Sequence, residues 1–106
     1  MKKPYLKKLG IFSGFVTWYV DGNYIRNNLN EEFTNFGNHY GFKFIPKKEF
    51  WIDKEHNPNE AGFFIENMLA QVKYIKKGKS FDDAFVIADK IEKAERRKSK
   101  IIKSYL

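Results

Sequence analysis

The sequence predicts an α+β fold: a small antiparallel β-sheet from residues 9–53 packed against two C-terminal α-helices, 58–77 and 81–103. Three observations carry this expectation. Phe15–Val20 and Glu49–Asp53 alternate with the two-residue period of strands. Asp21-Gly22, set between two β-prone runs, is the dipeptide favoured by tight hairpin turns. Beyond Asn57, apolar residues recur at helical spacing in two runs separated by Gly78.

In chain order, residues 1–8 read as a flexible basic arm. Leu9–Val20 is strand material, with Ser13-Gly14 placed to turn the chain between Ile11-Phe12 and Phe15-Val16. Val16, Trp18 and Val20 share one face; Phe15, Thr17 and Tyr19 share the other. With both faces apolar, the strand is expected to be central. Asp21-Gly22 then predicts a type I′ hairpin that returns Asn23–Arg26 antiparallel to Thr17–Val20.

Residues 27–41 are rich in asparagine, whose amide bonds the local backbone and favours turns. Phe33, Phe36 and Tyr40 anchor this stretch to the core in this reading. A loop so long is uncommon in a compact domain unless it is functional, which marks it as a candidate site region. Phe42–Ile45 reads as a short strand stopped by Pro46. Glu49–Asp53 follows, with Phe50 and Ile52 on one face and Glu49, Trp51 and Asp53 on the other.

Asn57 is the expected N-cap of the first helix, with Pro58 in its first turn and Glu60 completing a capping-box pattern. Its apolar stripe is Ala61, Ile65, Met68, Leu69, Val72 and Ile75, and Gly78 ends it. Ser80 caps the second helix, whose stripe is Phe81, Ala84, Phe85, Ala88 and Ile91. From Glu92 the stripe fades, so residues 92–106 are expected to form a basic helical extension.

Composition narrows the class. At 106 residues the chain is the size of one domain, and 18% aromatic content, with eleven Phe and six Tyr, points to a ring-built core rather than disorder. The absence of cysteine excludes disulfides and thiolate metal sites and agrees with a reducing compartment. No apolar run reaches the ~20 residues of a membrane span, and no apolar segment follows the basic start as in a signal peptide. A cytoplasmic protein without a membrane partner is the expectation.

The net charge of +7 sits at the two ends. Residues 1–10 hold four lysines and no acid, and residues 90–106 hold seven bases against two acids. The segment between them holds nine bases against eleven acids. Basic ends suit a polyanion, and they also keep a protein soluble.

The chain resembles a family of small uncharacterised microbial proteins whose pattern runs VDG, FTNFG-x-HY, FIPK-x-EFWID and KG-x-S-[FY]-x-x-A. The matching residues are Val20-Asp21-Gly22, Phe33–Tyr40, Phe44–Asp53 and Lys77–Ala84. The layout is also similar to minimal zinc-metallopeptidase-like domains, in which such a strand precedes a helix bearing two His at i and i+4. Here that helix reads Ile65–Val72 and contains no histidine; Asn67 and Gln71 stand four apart instead. The resemblance therefore implies shared architecture and argues against peptidase activity.

Two functional readings follow. The first is a non-catalytic binding or interaction module for nucleic acid or a protein complex, with no cofactor. Its contacts would be Lys7, Lys8, Lys43, Arg96, Arg97, Lys100 and Lys103. The alternative is a degenerate metal-dependent, hydrolase-like domain holding zinc or another divalent ion. Its ligands would come from His39, Glu49, Asp53 and Glu66, with His56 and Glu60 also in range. For each ligand the plainer reading weighs more: a hydrogen-bonded His39, an exposed His56, and solvated carboxylates at Glu49 and Asp53 paired with Lys47 or Lys54. Homodimerisation through a sheet edge or the C-terminal helix is open to either reading. Nothing matches a phosphate-binding loop, a dinucleotide fingerprint or a nucleophile triad.

Overall fold

The structure, a computed structural model, describes residues 3–55 and 58–105, with side chains described as far as Lys100. The fold is α+β, in two compact units that divide between Ala61 and Gly62. The expected cap Asn57, together with His56 and the side chain of Lys103, lies outside the described residues.

The first unit is a four-stranded sheet with one short helix. Its elements are β1 (Tyr5–Phe12), β2 (Phe15–Val20), α1 (Gly22–Asn28), β3 (Phe36–Asn38) and β4 (Glu49–Asp53), and the strand order is β1-β2-β4-β3. The expected turn at Ser13-Gly14 is present. Both residues take positive φ, 50° and 86°, as the twist of a two-residue hairpin demands. Tyr5–Lys8, expected to be a loose arm, form the first half of β1.

The sheet is mixed rather than antiparallel. β1–β2 and β3–β4 are antiparallel, but β2 and β4 run parallel, in register from Val16↔Glu49 to Val20↔Asp53. A parallel pair needs a crossover of a dozen or more residues, and the stretch from Asp21 to Lys48 supplies it. The expected return strand at Asn23–Arg26 is instead the middle of α1. Asp21 adopts an extended backbone and its Oδ1 accepts the Tyr24 N–H at 3.0 Å, so it caps the helix instead of turning a hairpin.

Two further expectations change. Residues 36–38, inside the suspected loop, form the edge strand β3. Phe42–Ile45 is a series of turns closed by Phe42 N–H to Asn38 O and Ile45 N–H to Phe42 O. Its apolar side chains, Phe42, Phe44 and Ile45, still pack on the core. Val20, Ile25, Phe33, Ile45 and Trp51 form the core on one face of the sheet, flanked by Tyr5, Trp18, Phe42 and Phe44. On the other face Phe15 stacks on Phe50 with centroids 4.3 Å apart, and Thr17 and Ile52 are fully buried.

The second unit is a helical hairpin, preceded by a 3-10 turn at Pro58–Glu60. Its helices are α2 (Ala61–Lys76) and α3 (Phe81–Tyr105). α2 ends in a Schellman motif: Gly78, at φ 100°, donates to Ile75 O, and Lys79 donates to Tyr74 O. Ser80 Oγ accepts the Asp83 N–H at 3.1 Å and starts α3, as the sequence led one to expect. Contacts between residues 67 and 92 and between 63 and 96 step in opposite directions, so the helices are antiparallel. The buried stripe of α2 differs from the expected one: Phe64, Asn67 and Gln71 join Ile65, Met68 and Val72. On α3, Ala84 and Ala88 are buried, but Phe85 and Ile91 are exposed.

Candidate nucleic-acid interface

α3 runs for 25 residues, ~37 Å at the rise of an α-helix. Its packed side contains Ala84 and Ala88 at 0% exposure. Lys90, Lys93, Arg97 and Lys100 are all exposed. At 3.6 residues per turn these four fall within roughly 80° of one another, on the side of the helix opposite Ala84 and Ala88. They form one outward row spanning ~15 Å of the axis. Lys93 approaches Asp89 Oδ2 at 3.5 Å, and beside the row Lys98 approaches Glu95 at 3.8 Å. Pairs so exposed are worth little and leave the outward field positive.

Arg96 belongs to a different structure. Its Nε donates to Glu92 Oε2 at 3.0 Å, and Glu92 Oε1 accepts from Asn67 Nδ2 at 2.9 Å. Asn67 Oδ1 in turn accepts from Gln71 Nε2 at 2.8 Å. Asn67 and Gln71 are 1% and 2% exposed. The Arg96 guanidinium also lies over the Phe63 ring, 4.4 Å from its centroid. This chain of side-chain bonds fixes the register of α3 on α2. The two amides, at the spacing a metal-binding helix would give its histidines, are thus consumed by packing.

The row is therefore not the set read from the sequence. Arg97 and Lys100 remain, Arg96 leaves, and Lys90 and Lys93 join. Helical phase alone separates Arg96 from Arg97, so the 100° step per residue was the signal available in the sequence. Among the other expected contacts, Lys7 and Lys8 are exposed on β1, an edge strand, and Lys43 is exposed in the turns before β4.

Three of the candidate metal ligands, His39, Glu49 and Asp53, have other partners. His39 Nδ1 stands 2.8 Å from Ile45 O, a hydrogen bond that places the proton on that nitrogen. Glu49 Oε1 accepts from the Tyr5 hydroxyl at 2.7 Å and from Trp51 Nε1 at 2.9 Å, within a cluster of rings. Burial, and then the bond to Glu49 and its charge, push the Tyr5 pKa up. Asp53 is 2% exposed and pairs with Arg26, neither solvated nor bound to a lysine. Glu66 is exposed on α2. Among the described residues, no three His, Asp or Glu side chains gather as they would around a metal ion.

Among the described residues, no helix is long and apolar enough to cross a membrane. Compared with protein-family models, with curated proteins and with solved structures, the chain matches none of them.

Proposed function

We propose that this protein is a non-catalytic nucleic-acid-binding module whose contact surface is the outward row Lys90, Lys93, Arg97 and Lys100 of α3. The observation that carries the reading is the alignment of four exposed cations on the side of α3 opposite its packed face. A rigid row of this kind neutralises phosphates and releases their counterions, the main source of sequence-independent affinity. Charge rather than apolar area dominates the row, which favours a polyanion over a protein partner. Asp82 and Asp83 lie at the other end of the helix, near its positive dipole end, so the basic half stands apart.

Heparin chromatography and fluorescence anisotropy with a labelled oligonucleotide test this. Binding is expected in the micromolar range, with log K falling against log salt at a slope of about −3 to −4 for four neutralised phosphates. Replacing all four residues by glutamate should abolish retention while far-ultraviolet circular dichroism stays unchanged. A variant retained as strongly as the original chain would remove α3 as the contact surface.

A further inference from the structure

Resting on that reading, we infer that the ligand is double-stranded nucleic acid, held through its phosphates without readout of base sequence. Three features of α3 lead there.

The first is that no ring lies within the row itself. Residues 90–100 contain no Phe, Tyr, Trp or His. Proteins that hold single strands interleave basic residues with rings, because each base contributes by stacking on them. Phe81 and Phe85 of α3 lie at the opposite end of the helix from Arg97 and Lys100, and its remaining aromatic residue, Tyr105, lies beyond the row, five residues past Lys100. On α2, Phe63 is covered by the Arg96 guanidinium, and Tyr74 has the ammonium groups of Lys73 and Lys77 over its ring.

The second is stiffness. The Asn67–Gln71–Glu92–Arg96 chain of bonds pins α3 to α2, so the cations are presented at fixed three- and four-residue intervals. A duplex is equally stiff and carries a charge every ~1.7 Å of its axis, so a fixed row meets a fixed ladder of phosphates. A single strand would have to be straightened along the row, with no ring in the row to offset the lost freedom by stacking.

The third concerns base reading. Asparagine and glutamine, the side chains that pair with adenine edges, are missing from residues 90–100. The amides of this unit at Asn67 and Gln71 are buried. The row thus carries position-fixing contacts and no amide that would read an adenine edge.

The experiment is a salt series of anisotropy titrations on the full chain. The probes are a labelled duplex, each of its strands alone, a duplex of scrambled sequence, and vesicles of anionic lipid. The duplex should bind about tenfold tighter than either strand at matched salt, and the scrambled duplex should bind equally well. K93A/R97A should lower the salt slope by about two on both duplexes. Single strands bound as tightly as the duplex, or a strong preference between the two duplex sequences, would overturn this inference and leave the α3 contact surface standing. Binding to vesicles alone, or to none of the probes, would overturn both.

Discussion

Gly22, the first residue of α1, lies so close to Asp53 of β4 that a Cβ on the glycine would overlap the carboxylate. Gly22 is not among the residues of positive φ, so the need for glycine is steric and not conformational. At an ordinary helix start of compatible φ, Gly→Ala would stabilise by ~0.4–1 kcal/mol. Here the sign reverses: Gly22→Ala should destabilise by about 1–3 kcal/mol through overpacking. In an Asp53→Ala background the obstructing oxygens are gone and most of that penalty should vanish. Urea unfolding of the four proteins in the cycle checks this, and equal penalties in both backgrounds would refute it.

The same carboxylate holds α1 to the sheet. Arg26 Nη1 donates to Asp53 Oδ2 at 2.9 Å and to Phe33 O at 3.2 Å, from a side chain about a quarter exposed. Removing one partner of a buried pair leaves an uncompensated charge. Arg26→Met should cost roughly 2–3 kcal/mol, toward the low end because water reaches the guanidinium. Adding Asp53→Asn should restore part of the loss, since the neutral amide still accepts the Glu55 N–H. A double variant as unstable as the sum of the singles would show that the charge itself is immaterial.

These contacts also show where sequence pattern fails as a guide. The second half of β1, strands β2 and β4, the Ser13-Gly14 turn and both long helices follow from alternation, turn chemistry and caps, all local properties. Asp21-Gly22 is locally ambiguous, because aspartate suits both a hairpin turn and a helix N-cap. The outcome depends on which strand takes the second edge of β2. β4 takes it in parallel, and its Asp53 requires glycine beside it. That is a long-range fact, invisible to a short window. The same holds for Asp53 itself, which looks like a solvated strand residue until Arg26 arrives from a helix that was not foreseen. The basic row was closer to legible. The charge run was visible, and only the helical phase of each residue was left out.

Asp21 supplies a pH dependence with a definite sign. The Tyr24 backbone N–H, then the hydrogen bond from Lys3, hold its carboxyl below the ordinary value of 3.8. A group depressed in the folded state stabilises fully above its unfolded value and loses that contribution as pH falls through the folded one. Asp21→Ala should therefore cost about 1 kcal/mol near neutral pH, and the gap from the original chain should narrow as acid protonates the cap, whose carbonyl oxygen still accepts from Tyr24. Asp21→Asn keeps an acceptor for Tyr24 and should cost only a few tenths of a kcal/mol. Chemical denaturation across the acid range measures all three. A gap that stays constant with pH would mean the ionised form is not the one that caps α1.

Arg96 and Arg97 are adjacent, carry the same charge and should fail in opposite ways. Arg96→Ala removes a hydrogen bond to the partly buried Glu92 and uncovers Phe63. It should lower unfolding free energy by about 1–2 kcal/mol. Duplex affinity, measured where both variants are folded, should barely move. Arg97→Ala touches no such contact and should leave stability within ~0.5 kcal/mol of the original. It should weaken duplex binding uniformly across sequences and reduce the salt slope by about one. Because each variant removes one positive charge, a pure net-charge effect would lower affinity equally in both. That equal loss would dismiss the oriented row in favour of diffuse attraction by a basic protein.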